Sequence, residues 1–395
     1  MTDDHPVLRG TWSFPTTIWF GAGKISMLAR ACATLGINRP LFVTDPGLAN
    51  LDMVTLALEQ AATDGVSAVP FSDIKPNPVS ANITAGVAAL RAADCDGVIA
   101  FGGGSSLDAG KTIALAAAQP DDGIPLWDFE EGRDDWRRAE PPLPVVAVPT
   151  TAGTGSETGR STVVLNEATG RKVIITHPGM MPGIVIADPE LTLGLPAHIT
   201  AATGMDALAH CLEAYCSPFA NPMCDGVALE GMRLIRENLT RAVADGSDLG
   251  ARANMLAAAA MGSTAFQKGL GAIHAMSHPI GARYDTHHGL TNAVVMPYVL
   301  ERNRPAIEDK LARVAAYLGL ETGSGGFNSF LEWALELRTR FEMPHTLAEL
   351  GVEEEYFDAL AADAAADPTA IANPIALDTT DFRELFEAAH AGRLG

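Results

Sequence analysis

In the first 190 residues, short apolar runs alternate with Ala-rich stretches, and few folds accept that alternation. The runs are Leu41–Thr44, Ser67–Phe71, Gly97–Phe101 and Pro144–Val148, followed by Val173–Thr176 and Ile184–Ala187. Between the first four lie helix-forming stretches over 51–64, 80–94 and 105–118. Strands this short and this apolar are covered on both faces, and helices between them supply the cover, so the pattern predicts a parallel, doubly wound sheet. After Asp188-Pro189 the texture changes to helix formers, with helices expected over 197–216, 222–242, 248–266, 269–283 and 305–318. Pro189, Gly194 and Pro196 punctuate the change. The expected architecture is an α/β domain over 1–190 with a mostly parallel, Rossmann-like sheet, and an all-α domain over 191–395. The Pro-rich, charged region 121–144 reads as a long surface loop, and 352–380 carries little information.

The length, 395 residues, suits two domains. The 27 basic and 48 acidic residues give a net charge of −21, which repels nucleic acid and anionic membranes, and neither is expected as a partner. Cys32, Cys95, Cys211, Cys216 and Cys224 are odd in number and form no CxxC pair. They read as free thiols in a reducing compartment, with Cys216 and Cys224 as small buried hydrophobes rather than zinc ligands. Asp3 and Asp4 stand where a signal peptide would be basic, and no charge-free apolar run reaches about 18 residues. A soluble, cytoplasmic protein is expected.

Gly102-Gly103-Gly104-Ser105-Ser106 lies between a predicted strand and a predicted helix. Consecutive glycines let backbone N–H groups approach a phosphate, and the helix N-terminus adds partial positive charge. Gly110-Lys111-Thr112 imitates the end of a Walker A loop, but the glycine required five residues earlier is Ser105. Gly153–Gly159 is one residue too long for GxGxxG. Pro149–Glu157 follows the fourth strand and packs hydroxyls and glycines where open α/β sheets bind ligands.

The helical half carries a polar constellation. Asp206 and His210 share a helix face at i, i+4, as do His274 and His278, and Asp285-Thr286-His287-His288 adds two histidines in an expected loop. Taken singly, each histidine reads as a hydrogen-bonded core or cap residue. Together they lie in Ala/Leu/Met-rich surroundings where a lone charge is costly, and a divalent cation is the simplest common partner. Three imidazoles and one carboxylate leave positions open for a substrate oxygen, a catalytic pattern that ligand chemistry allows for Zn²⁺, Fe²⁺, Mn²⁺ or Ni²⁺.

These segments resemble, in order and nearly end to end, the iron-containing (group III) alcohol dehydrogenases, in the superfamily of glycerol dehydrogenase and dehydroquinate synthase. Phe14-Pro15…Phe20-Gly21-Ala22-Gly23 and Pro76-Asn77-Pro78 open the resemblance. Gly102–Lys111 is similar to GGGSxxDxxK, Pro149–Glu157 to PTTAGTGSE and Gly204–Ala214 to GMDAxxHxxEA. His274…His278…His288-Gly289…Asn292-Ala293…Pro297 is similar to the long histidine signature. The resemblance implies Asp206, His210, His274 and His288 as metal ligands, with His287 replacing the proline many members have. It implies pyrophosphate at Gly103, Gly104 and Ser105, and nucleotide and nicotinamide around Asp108, Thr150, Thr151, Thr154 and Ser156, with Lys172 close by. Asp45 would hold the adenosine ribose, and His278 would stand beside nicotinamide and substrate. The implied protein is an NAD- and Fe²⁺-dependent (or Zn²⁺-dependent) oxidoreductase of small alcohols and aldehydes, and a homodimer or larger homo-oligomer.

Rival readings are a P-loop hydrolase, a metal-binding protein without redox turnover, and, within the superfamily, a polyol dehydrogenase or a dehydroquinate synthase-like lyase.

Overall fold

The computed structural model describes residues 14–133, 135–320 and 325–394; Asp3 and Asp4 lie outside the described residues. The first half runs β1 (Thr17–Phe20), α1 (Leu28–Thr34), β2 (Pro40–Val43), α2 (Asp52–Thr63), β3 (Val69–Phe71), α3 (Ser80–Ala92), β4 (Gly97–Gly102), α4 (Gly104–Ala118), β5 (Val145–Pro149), β6 (Ser161–Asn166), β7 (Arg171–Thr176) and β8 (Ile184–Ala187). Six strands form one sheet in the order β1-β8-β5-β4-β2-β3, and every pairing in it is parallel.

The two-residue period of the strands sorts their side chains onto two covered faces. Leu41, Val43, Val98, Ala100, Val145, Ala147, Val185 and Ala187 face α3 and α4 through Ile83, Leu90, Leu107 and Ile113. Phe42, Ile99, Phe101, Val146, Val148, Ile184 and Ile186 face α1 and α2 through Leu28, Cys32, Val54 and Ala57. Because α2 follows β2 on one face and α4 follows β4 on the other, the sheet has a topological switch point between β2 and β4. Ligands bind outside the carboxyl ends of strands at such points.

Val173–Thr176, expected in the same series of strands, instead belongs to the antiparallel hairpin β6–β7 outside the main sheet. The burial of β6 alternates along its length, the mark of a strand covered on one face only. The segment 121–144 is more than a surface loop: its Phe129 is buried among Leu115, Val173, Ile175 and Met180.

The remainder is helical: α5 (Ala197–Cys216), α6 (Pro222–Ala244), α7 (Leu249–Ala265), α8 (Ala272–Tyr284), α9 (His288–Tyr317), α10 (Gly326–Arg340), α11 (Phe357–Ala366) and α12 (Thr379–Ala391). The helix expected over 305–318 is the second half of α9, which runs through Pro297 and Pro305. His288, expected in a loop, is the first residue of that helix. Residues 15–200 and 241–260 pack as one compact unit, and 201–240 with 261 onward as another. The expected domains, 1–190 and 191–395, are each continuous in sequence, whereas these units are not, and no sequence signal announces the return of 241–260. Among the described residues no helix is long and apolar enough to cross a membrane.

Candidate active site

At the switch point, β2 ends into Asp45 and β4 into the glycines. Asp45 Oδ1 accepts from the N–H groups of Gly47 and Leu48 at 2.9 and 3.1 Å, which fixes its carboxylate in the turn. Its Oδ2 lies 3.3 Å from Ser106 Oγ. Gly102 has φ of +147°, and a Cβ there would stand 2.6 Å from Ser106 Oγ and 3.4 Å from Asp45 Oδ2, so only glycine fits. A Cβ on Gly104 would fall 2.5 Å from Thr154 Cγ2, and one on Gly103 3.3 Å from Thr151 Cγ2. The glycine turn is thus packed directly on the loop after β5, and the N–H of Thr150 donates to Gly102 O at 2.9 Å.

Two charged groups hold that loop. Lys111 is fully buried, and its Nζ donates to the carbonyls of Ser156, Gly159 and Ser161 at 2.8, 3.2 and 2.8 Å. Burial lowers its pKa, offset in part by Asp108 and Glu157. Asp108 accepts from Ser156 Oγ at 2.5 Å and from the Val163 N–H at 2.8 Å. Burial raises its pKa against the pull of Lys111. Ser105 Oγ donates to Pro76 O, and Lys172 Nζ donates to Asn77 Oδ1 at 2.7 Å, so the Pro76–Pro78 turn closes the other side of the glycines. Gly110, the Walker-like glycine, is a packing residue: a Cβ would lie 2.6 Å from that of Ala100 on β4.

In the helical unit, Asp206, His210, His274 and His288 each offer one ligand atom, all within 4.8 Å of one another. Asp206 Oδ1 lies 3.9 Å from His210 Nε2 and 3.6 Å from His288 Nε2. The neighbouring His287 is exposed and occupies the N-cap position of α9 without a side-chain capping bond. The close fit of α9 onto α5 depends on Gly289, whose missing Cβ would stand 2.2 Å from Ala202 O.

The donor set could hold a divalent cation, and neighbouring side chains fix its members. Glu213, one turn after His210, accepts from His274 Nδ1 at 2.5 Å and from the Ile273 N–H at 2.7 Å. That bond leaves the Nε2 lone pair of His274 facing the cluster. Burial lowers the pKa of His274, but Glu213, Asp206 and Asp367 together outweigh it and the pKa is raised. Asn292 Nδ2 donates to Asp206 Oδ1 at 2.8 Å and stands 3.3 and 3.2 Å from His274 Nε2 and His288 Nε2. Asp206 Oδ1 and two imidazole nitrogens thus converge on one amide, and each could serve as a cation ligand. Among the described residues no cysteine joins such a group. All five are buried and unpaired, and burial pushes the thiols of Cys32, Cys211 and Cys216 up to about 12.

His278 lies beside the cluster rather than in it. Its ring stacks on His288 with centroids 5.6 Å apart, and its Nδ1 donates to Asp367 Oδ2 at 2.8 Å. Burial opposes the ionised form of Asp367, but attraction to the His278 ring and the bonds from His278 and Thr369 hold its carboxyl below the usual range. The sequence reading assigned no role to Glu213 or Asn292, although both sit in quoted motifs. It missed Asp367, which is 89 residues from its partner.

The chain matches the model for iron-containing alcohol dehydrogenase over residues 15–189 and that for the C-terminal part of the Fe-containing alcohol dehydrogenase family over 200–390. It is 38% identical over 381 residues to 4-hydroxybutyrate dehydrogenase of Cupriavidus necator, covering 94% of this chain and 97% of that one. It is also 38% identical to 1,3-propanediol dehydrogenase of Citrobacter freundii, covering 95% and 97%. The crystal structure of a 1,3-propanediol oxidoreductase superposes with a TM-score of 0.91 at 36% identity, covering 96% of this chain and all of that one. A sulfoacetaldehyde reductase from Bifidobacterium kashiwanohense in complex with NAD⁺ superposes with 0.86 at 27% identity, covering 97% and 99%. With both halves matched, and with the glycine turn and the Asp/His cluster assembled as described, this chain belongs to the iron-containing alcohol dehydrogenase family of oxidoreductases.

Proposed function

We propose that the protein interconverts a small primary alcohol and its aldehyde with NAD as hydride carrier and Fe²⁺ as resident metal, Zn²⁺ being the alternative occupant. The observation that carries this reading is the convergence of Asp206, His210, His274 and His288 within 4.8 Å. These four residues hold the cation, with Glu213 and Asn292 fixing His274 and Asp206. When bound, the cation supplies a Lewis acid that lowers the pKa of an alcohol oxygen, and the nicotinamide supplies the hydride acceptor. His278, its Nδ1–H committed to Asp367, presents the Nε2 lone pair for the departing proton.

Gly102, Gly103, Gly104 and Ser105 take the pyrophosphate at the start of α4. Asp108, Thr150, Thr151, Thr154, Ser156 and Lys172 shape the rest of the nucleotide and nicotinamide site, Asp108 and Lys111 by bracing the loop that carries the hydroxyls. Asp45 binds ribose hydroxyls and repels a 2′-phosphate. On this reading the 1–190 domain serves the cofactor and the 191–395 domain serves the metal. The enzyme is cytoplasmic, supported by its five unpaired cysteines, and a homodimer or larger, as the family resemblance implies.

The test is NADH formation across a panel of primary alcohols, diols and hydroxy acids, including 1,3-propanediol and 4-hydroxybutyrate, after anaerobic loading with Fe²⁺ or Zn²⁺. Turnover should vanish on chelation, favour NAD over NADP, and lose about tenfold of that preference in Asp45→Gly. Full turnover without metal, or metal and NAD binding with no net NADH as in a lyase, would overturn the reading.

A further inference from the structure

We propose that Asp367 is the positioning residue of His278, holding its imidazole as the Nδ1–H tautomer and aiming the opposite nitrogen, Nε2. The proposal rests on the reading of His278 as the group that handles the proton, but its geometry stands independently.

Asp367 opens a short 3-10 turn over Pro368–Ala372, and both of its carboxylate oxygens are engaged. Oδ1 accepts from the Thr369 N–H at 2.9 Å and from Thr369 Oγ1 at 2.6 Å, which fixes the plane of the carboxylate. Oδ2 is left for His278 Nδ1, at 2.8 Å. Capping the turn needs one oxygen, and Asn or Ser would supply it as well. An ionised carboxylate differs from both because it only accepts, so Nδ1 has to carry the hydrogen. Both partners are buried, at 7% and 6% exposure, where water cannot substitute for the bond.

The far end of the same turn is anchored to the same helix. Asn373 Oδ1 accepts from the Ala272 N–H in the first turn of α8 at 3.1 Å and from Asn303 Nδ2 on α9 at 2.8 Å. Asn373 Nδ2 returns a bond to Asn303 Oδ1 at 2.8 Å. A Cβ on Gly269 would lie 2.3 Å from that of Ala372, so the turn is seated against the approach to α8. Asp367 and Asn373 thus grip α8 at His278 and at its N-terminus. The ring of His278 is set by a segment pinned at both ends.

The experiment uses Zn²⁺-loaded full-length protein with ¹⁵N-labelled histidine. Subtracting the His278→Ala spectrum assigns the His278 ring among the ten histidines. Wild type should show Nδ1 protonated and Nε2 bare in the neutral ring. In Asp367→Asn the amide oxygen keeps the two Thr369 donors and the NH₂ faces Nδ1, so the ring should switch to the Nε2–H tautomer. With that switch, kcat should fall by about tenfold or more while KM and metal content stay near wild type. A wild-type ring bearing its hydrogen on Nε2, or an Asp367→Asn ring with unchanged tautomer, overturns the proposal. A switched tautomer with unchanged kcat upholds the positioning role and instead removes His278 from the proton path.

Discussion

Single residues at this site are defined by who shares their burial. Glu157 closes the loop after β5 at 2% exposure, and burial raises its carboxyl to about 7 against the pull of its own N–H and of Lys111. Below its ordinary value of 4.5 the group is protonated whether the chain is folded or not. Between there and about 7 the folded state keeps a proton that the unfolded state has lost, so stability falls as pH rises through that window and levels off above it. The shift corresponds to about 3 kcal/mol at most. Glu157→Gln should therefore gain on wild type as pH rises from about 5 to about 8, measured by denaturant midpoints at both pH values. A difference that does not change with pH would mean that Glu157 is ionised in the fold. The same dependence on neighbours explains what the sequence leaves illegible at this scale. Asp206, His210, His274 and His288 announce themselves by spacing and by the family motifs. Asp367 has only the turn signature Asp-Pro-Thr, because its partner comes from a helix far away in the chain.

Elements were legible where their burial repeats along the chain. β2, β4, β5 and β8 are apolar on both faces, and their sequences show it directly. β1 and β6 carry no such signal: β1 has two exposed residues of four, and in β6 burial alternates while residue type does not, Ser161, Thr162 and Asn166 flanking Val163–Leu165. The helix expected over 305–318 begins at Pro305, a residue that suits a first turn, yet α9 passes through it. The start of α9 matters most for the site, since it delivers His288 and Asn292 together. Gly289 makes that delivery possible by letting α9 touch the backbone of α5. In Gly289→Ala the added methyl would meet Ala202 O and Asp206 Cβ, neither of which can move without disturbing the helix that carries Asp206 and His210. Overpacking of this kind costs about 1–3 kcal/mol. The expected result is a lower melting temperature and at least about a tenfold loss of metal affinity, of the size that misplacing supporting contacts produces. Metal content after dialysis and thermal unfolding decide it, and wild-type retention of metal would show that α9 does not need this contact.

For the molecule as a whole, sequence order and compact units diverge. The unit that holds the parallel sheet is not finished at Thr200, because residues 241–260 return to it. Leu256 joins the core on the α3/α4 face of the sheet. Arg252, only 3% exposed, donates to Thr200 Oγ1 at 2.7 Å, to Leu195 O at 3.1 Å and to Gly246 O at 3.0 Å. Cutting the chain after Thr200 would uncover the Leu256 position and leave the carbonyl of Leu195 without the guanidinium that satisfies it. A lost large core side chain alone costs about 2–5 kcal/mol, a sizeable part of a domain's stability of about 5–15 kcal/mol. A fragment of residues 15–200 should therefore unfold without a sharp transition and bind a hydrophobic dye, even though it contains every strand found among the described residues and the whole glycine turn. Calorimetry and dye fluorescence on that fragment measure this. A cooperative transition near that of the intact chain would show that the sheet unit is complete without 241–260.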